Sequence, residues 1–260
     1  MDHLCSDQWQ IIKPILETQR KVKHEKRTIF NAILWILTTG SQSEPRRWRN
    51  LESQFPAWQT VYYHFNQWKK NGVLEEVLDK LAIKARTKMK RKSTPSMLVI
   101  DSQSVKITQF TYEETGIDGA KWINGRKRHV AVDSLGIPWA LVVTAANVCD
   151  SEGGEHLAQQ LKGKSTRLEI LKLEILKADK GYKTGFVEHI QKNYGWQVEI
   201  VQKPESSKGF VPVGGRWVVE RSFGWLNFKR RLSRDVEKTV ESSEAMLQIA
   251  FIDILLRRFF

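Results

Sequence analysis

The chain of 260 residues has two cysteines, Cys5 and Cys149, and no apolar run long enough to span a bilayer. Two isolated thiols exclude a disulfide framework and a cysteine-based zinc site, and an intracellular, reducing compartment fits them. No basic-then-apolar leader follows Met1, and the most apolar stretch, MLQIAFIDILLRRFF, is interrupted by Gln248 and Asp253. It reads as a docking helix, not a membrane anchor. The six histidines show no ligand spacing and read as structural. No P-loop glycine motif is present either.

What the sequence has in excess is positive charge, 42 Lys and Arg against 29 Asp and Glu, a net +13. Residues 1 to 95 hold 18 basic and 9 acidic side chains and the remainder 24 and 20, so the excess is +9 against +4. A polyanionic partner gripped mainly by the N-terminal part is expected, the plain alternative being a basic protein without a nucleic-acid role. The length allows one large or two ordinary domains, and 41% hydrophobic content suffices for a packed core.

The N-terminal part reads as an all-α module. SDQWQIIKPIL opens with Ser6 as a plausible N-cap, and TIFNAILWILTTG stops at Gly40. PAWQTVYYHFNQWKKNG runs from Pro56 to Asn71-Gly72, and VLEEVLDKLAIKAR follows. Such helices with short turns have room for a helix-turn-helix. Trp58, Tyr62, Tyr63, Phe65 and Trp68 read as core before base-stacking surface, whereas Arg46, Arg47 and Arg49 around Trp48 suit phosphate contact. In KARTKMKRKSTPS six basic side chains lie between Lys84 and Lys92 with no acid. A solvated linker is the default reading; one carrying Lys88, Lys90, Arg91 and Lys92 also tracks a phosphate backbone. We place the boundary there, with a helical DNA-binding domain over 1–93 and a second domain over 94–260.

Beyond it the pattern runs strand, hairpin, helix, strand, helix, strand, helix, a mixed α/β architecture. Met97, Leu98, Val99 and Ile100 form a buried strand with Asp101 at its cleft end, and LKADKGYKTGF places Asp179 in the same way after Leu176. A lone ionised carboxylate inside a strand needs a metal, a partner or water. Capping and turning are the ordinary alternatives. Asp133 and Asp150 also end strands, and the residues alone do not rank them below Asp179. RWVVERSFGWLNFKRRL reads as one helix, whose polar face at about 100° per residue gathers Arg216, Glu220, Gly224, Asn227 and Arg231. An i, i+4 Arg216–Glu220 surface pair is the simpler reading of that face. Lys121, Arg126, Lys127 and Arg128 flank the Asn124-Gly125 turn as a basic hairpin, either DNA-holding or a solvated edge.

Taken in order, VIDSQSVK, GRKRHVAVDSLG, LKADKGY, RWVVERSFGWLN and ESSEAM resemble the IS5 group of insertion-sequence transposases, within the IS4-like DDE superfamily. The resemblance covers essentially the whole chain. It implies an RNase H-like, retroviral integrase-type catalytic domain whose three acids fall on Asp101, Asp179 and Glu220. The separations, 179 − 101 = 78 and 220 − 179 = 41, leave no room for the large domain that some relatives insert before the glutamate. The superfamily's Tyr-Arg-Glu-Lys signature is matched by Arg216 and Glu220, but Val213 stands at the tyrosine and Asn227 at the lysine. Lys229, Arg230 and Arg231 are its nearest basic neighbours, and Arg216 and Arg231 join the DNA-binding candidates.

The resemblance further implies two Mg²⁺ or Mn²⁺ ions held by the three acids, and double-stranded DNA as partner, both the element's terminal inverted repeats and the target. It implies at least a dimer on DNA, no membrane role, and a prokaryotic, nucleoid-associated cytoplasmic setting. The activity implied is end cleavage followed by joining of the 3′-hydroxyls to target DNA. The alternatives are a domesticated or inactive sequence-specific DNA-binding protein, and an RNase H-like nuclease without strand transfer.

Overall fold

The computed structural model describes residues 4–16, 23–40, 48–109, 111, 113–168, 173–182, 184–201 and 215–260, with the side chains of 165–168 and 184 outside that description. Four helices come first: α1 (Ser6–Leu16), α2 (Lys26–Thr39), α3 (Trp58–Lys70) and α4 (Val73–Lys88). Helix α1 begins at Ser6 itself, so the capping position falls on Cys5, whose N–H is taken by the Gln8 Oε1 reaching back at 3.2 Å. Gly40 ends α2 in the left-handed region at φ 69°, as the sequence predicts, and accounts for its abrupt stop.

Six strands follow, β1 (Met97–Lys106), β2 (Gly116–Asp118), β3 (Ile123–Val132), β4 (Pro138–Ala145), β5 (Ile175–Ala178) and β6 (Gln197–Ile200). They form one sheet in the order β2-β3-β1-β5-β6, with β4 beside β3. Strands β1, β3 and β4 are antiparallel, and β5 and β6 join parallel to β1. Helices α5 (Asp150–Leu168) and α6 (Thr184–Tyr194) make the crossovers that parallel pairing requires. The mixed sheet and its helices agree with the RNase H-like architecture expected. Strand β2 was not foreseen, since three residues carry no periodic signal.

The sheet is covered on both faces, α5 on one and α7 (Trp217–Asn227) with α8 (Val240–Phe259) on the other. A Cβ on Gly153 would fall 2.0 Å from the His129 ring, so only glycine lets α5 sit this close to β3. Helix α8 packs against α4, and one continuous apolar cluster runs from Leu4 to Leu256. The linker of 89–96 therefore joins two chain segments that share a core. The docking reading of the C-terminal stretch fits this burial, and Asp253 within it is paired with Lys229 and Arg257.

Asp133, one of the strand-ending aspartates, has a structural role. It is fully buried, and its carboxylate accepts the N–H groups of Leu135 at 2.8 Å and Ile137 at 3.1 Å, the Trp139 indole at 3.3 Å and the Arg86 guanidinium. Arg86, at the end of α4, thus anchors the helical segment to the β3–β4 turn.

Two stability predictions follow from this packing. Arg86→Met strands a buried carboxylate and should cost about 3–5 kcal/mol, read as a lowered urea midpoint. Burial lifts the Glu244 carboxyl from 4.5 to about 7, although the Val143 N–H it accepts opposes the rise. The folded protein holds this proton more tightly than the unfolded chain, so its contribution is complete below pH 4.5 and is lost as pH rises through 7. Glu244→Gln keeps the acceptor without the charge and should be more stable than wild type at pH 8, by about 3 kcal/mol, and indistinguishable from it at pH 4.

Candidate active site

The parallel pairing of β1 with β5 runs through Met97–Ile175, Leu98–Leu176 and Val99–Lys177. Two residues further along each chain stands an aspartate, Asp101 on one and Asp179 on the other. The register therefore sets the two carboxylates side by side. Asp101 is not at the end of its strand, as the sequence suggested, because β1 continues to Lys106 paired with β3, Asp101 opposite Val130. What ends is its neighbour: β5 stops at Ala178, which frees the edge of β1 beside Asp101.

Each aspartate is fixed by its own backbone. Asp101 Oδ1 accepts the Ser102 N–H at 2.8 Å, and Asp179 Oδ1 accepts the Gly181 N–H at 2.8 Å. Gly181 is not at positive φ, so it is required for space and not for a left-handed turn. A Cβ there would lie 2.9 Å from Asp179 Oδ1 and 3.3 Å from Asp150 Oδ2. Burial lifts the Asp101 carboxyl from 3.8 to about 6. The Ser102 N–H and the Arg216 guanidinium oppose that rise, and Asp179 and Asp150 add to it.

Helix α7 brings Glu220 in its first turn, exposed, with Arg216 just before it. One guanidinium spans two acids, Arg216 Nη2 lying 3.3 Å from Asp179 Oδ2 and Nε 3.6 Å from Glu220 Oε1. The i, i+4 pair expected from sequence is real, but it extends to Asp179 across the cleft. The three expected acids are thus gathered around Arg216, whose charge also reaches Asp101.

Two further residues belong to this cluster. Asp150 opens α5, and its Oδ1 accepts the Ser102 hydroxyl at 2.7 Å and faces Lys127 Nζ at 3.2 Å. Burial pushes its carboxyl up, yet the Ser102 hydroxyl and the Lys127 ammonium outweigh that and leave it below 3.8. Tyr182 is 2% exposed, its hydroxyl has no hydrogen-bond partner among the described residues, and the charges of Asp101, Asp150 and Asp179 all act on it. Burial first, and those carboxylates next, hold its proton on well above pH 10. A strand-end position was the only sequence signal for Asp150, shared with the structural Asp133, and nothing flagged Tyr182.

The donors are hard carboxylate oxygens, the type that Mg²⁺ and Mn²⁺ prefer. Among the described residues no three His, Cys, Asp or Glu side chains close around a single point. Asp101 and Asp179 are half-buried and Glu220 is exposed, an arrangement that fits an ion bound through few carboxylates with water and phosphate completing its shell.

The basic candidates separate sharply. Arg126, Arg128, Lys127 and Arg231 are buried, which corrects their assignment to a DNA-facing surface. Arg126 is paired with Asp235 at 3.3 Å and donates to the carbonyls of Glu113, Glu237, Lys238 and Thr239. Arg128 donates to the Leu232 carbonyl, and Lys127 to that of Val148. Both faces of β3 are covered, so alternation sends every side chain of GRKRH inward, where it must find acceptors. Arg231 does not share the Glu220 helix, because α7 ends at Asn227 and residues Arg230–Ser233 form a 3-10 turn; its Nε contacts Glu237 at 2.7 Å. Lys88, Lys90, Arg91, Lys92 and Lys121 are exposed, as is Arg49, which lies over the Trp58 ring at 5.3 Å. Arg46, Arg47 and Val213 lie outside the described residues. Of the aromatic cluster, Phe65 and Trp68 are core, whereas Tyr62 and Tyr63 are exposed.

Comparison with known proteins adds an independent line. The profile of the family described as "Transposase DDE domain" matches residues 92–255, and that described as "Putative transposase of IS4/5 family" matches residues 4–78. The uncharacterised protein y4sN of Sinorhizobium fredii is 30% identical over 112 residues, 42% of this chain and 79% of that protein. The "Putative transposase for insertion sequence element IS402" of Burkholderia cepacia is 28% identical over 127 residues, 48% of this chain and 60% of that protein. The first match alone spans more than half of the 260 residues and contains Asp101, Asp179 and Glu220, and on it the chain belongs to the transposase DDE domain family.

Proposed function

We propose that the protein is a DNA transposase that cleaves the ends of its insertion sequence and joins the freed 3′-hydroxyls to target DNA. The observation that carries this reading is the β1–β5 register, which sets Asp101 beside Asp179 while α7 supplies Glu220 and Arg216. Asp101, Asp179 and Glu220 would hold the divalent ions, Mg²⁺ or Mn²⁺, two being expected. When bound, such ions would supply activation of water and stabilisation of charge on the attacking and leaving oxygens of an in-line displacement.

The same site serves two reactions in turn. Water attacks phosphorus at the element's end, the bond to the 3′ oxygen breaks, and a 3′-hydroxyl is left. That hydroxyl then attacks a phosphodiester of the target, and one phosphodiester replaces another without ATP. Arg216, half-buried between two carboxylates, offers its guanidinium to the substrate phosphate. Residues 94–260 carry this chemistry. Residues 1–93 bind DNA, with Arg49 and the exposed Lys88, Lys90, Arg91 and Lys92 along the phosphate backbone. Two ends must meet before joining, so the DNA-bound form is at least a dimer.

The test is purified protein with Mg²⁺ and labelled DNA carrying the gene's native flanks, with new 3′ ends mapped. Cleavage at fixed terminal positions is expected, and Asp101→Asn, Asp179→Asn and Glu220→Gln should each reduce it roughly a hundredfold or more while DNA binding persists. Specific binding without cleavage would favour a retained DNA-binding protein. Scattered nicks that depend on Glu220 would favour a general nuclease.

Gly181→Ala is expected to lower cleavage by roughly tenfold or more, because the new methyl presses on Asp179 Oδ1. Its circular dichroism spectrum should match that of wild type.

A further inference from the structure

The turn that joins β2 to β3 is held stiffly and carries a tryptophan into solvent. Asp118, 7% exposed, accepts the Ser104 hydroxyl from β1 and the N–H groups of Ala120 at 3.0 Å and Lys121 at 3.2 Å. At the end of this clamped turn Trp122 has φ 53° and 84% of its surface exposed. Both features cost free energy: a bulky residue is strained at positive φ, and an indole in water forgoes burial. A fold that keeps both has a rigid apolar plate pointing outward.

The plate overlooks an open cavity of about 400 Å³, lined with Trp122 by Lys106, Ile107, Thr108, Gln109 and Asn124. None of these is acidic. Lys106 and Lys121 are exposed, and the Thr, Gln and Asn side chains offer hydrogen-bond donors and acceptors. A flat ring beside amide and hydroxyl groups, with cations at the margin, matches a nucleobase on its phosphodiester chain. Lys106 stands five residues along β1 from Asp101, about 17 Å at ~3.3 Å per residue. That spacing is roughly five nucleotides of duplex rise.

We infer that Trp122 is a stacking platform for an unpaired base of the DNA substrate, with Lys106 and Lys121 on the adjoining phosphates and Thr108, Gln109 and Asn124 at the base edge. The inference rests on the transposase reading for its partner and adds that the substrate is held with at least one base out of its pair. The absence of acids and the two flanking lysines favour DNA over a second copy of this chain as occupant.

The experiment measures binding of the full chain, in EDTA, to fluorescein-labelled oligo(dT) and to a blunt duplex of equal length. Without cleavage, it reads the platform separately from the acids. Trp122→Ala should weaken oligo(dT) binding roughly 5- to 150-fold and duplex binding less than about twofold. Trp122→Phe, which keeps a stacking ring, should stay within a few fold of wild type. Trp122→Gly, which relieves the positive φ, should lose oligo(dT) binding as Ala does while its thermal midpoint holds or rises. Equal loss on both DNAs, or no loss, overturns the platform and leaves the transposase reading intact. A Trp122→Ala change confined to the sedimentation of the free protein also overturns it, in favour of a contact between copies. Wild type that binds neither DNA sinks both readings.

Discussion

Three parallel residue pairs between β1 and β5 determine that Asp101 and Asp179 stand side by side. Side chains alternate along a strand, so a slip of one residue would turn Asp101 and Asp179 to opposite faces. The register is held by apolar burial: Leu98, Val99, Leu176 and Ala178 are all in the core. Neither aspartate contributes to that packing. The acids are carried to the free edge by neighbours selected for burial, and the cost of Asp101's desolvation is borne by the fold around it.

The second constraint is that β3 is enclosed. Its basic side chains reach an interior where water cannot solvate them; Arg126 and Arg128 are met by carbonyls and a carboxylate of the segment after α7, and Lys127 by the Val148 carbonyl and Asp150. Asp235 alone receives Arg126, the Ser243 hydroxyl and the Glu237 N–H. These contacts fasten the chain between α7 and α8 to the sheet and so fix the end of α7 that follows Glu220. Removing a single partner would leave a charge without solvent or counterion, which makes the network rigid out of proportion to its size.

Much of this was legible in the sequence because periodicity and turn chemistry are local. The helices, the β3–β4 hairpin and the crossover order follow from apolar spacing and from residues such as Gly40 and Gly136, both at positive φ. Asp179 was legible as a strand-end carboxylate, Asp101 as an aspartate after an apolar run although its strand continues to Lys106, and Glu220 only through resemblance, since a wheel places it in an ordinary polar face. What was not legible depended on the second face of the sheet. GRKRH looks like a solvated basic hairpin until α5 and the segment after α7 cover it. Asp133 and Asp150 are alike as strand-end aspartates; only the arrival of Arg86 at one and of Ser102 with Lys127 at the other distinguishes them.

The charge distribution acquires a meaning from this division. Among the described residues, of the basic side chains the sequence offered for DNA, those within β3 and Arg231 are buried, Arg216 is half-buried, and Arg49, Lys88, Lys90, Arg91, Lys92 and Lys121 are exposed. Buried arginines paired with carboxylates cancel within the net +13, so the excess is carried by the other cations. Among the described residues Arg216 spans two of the acids, Asp179 and Glu220, so positive charge stands within the acid cluster as well as on the outer surface.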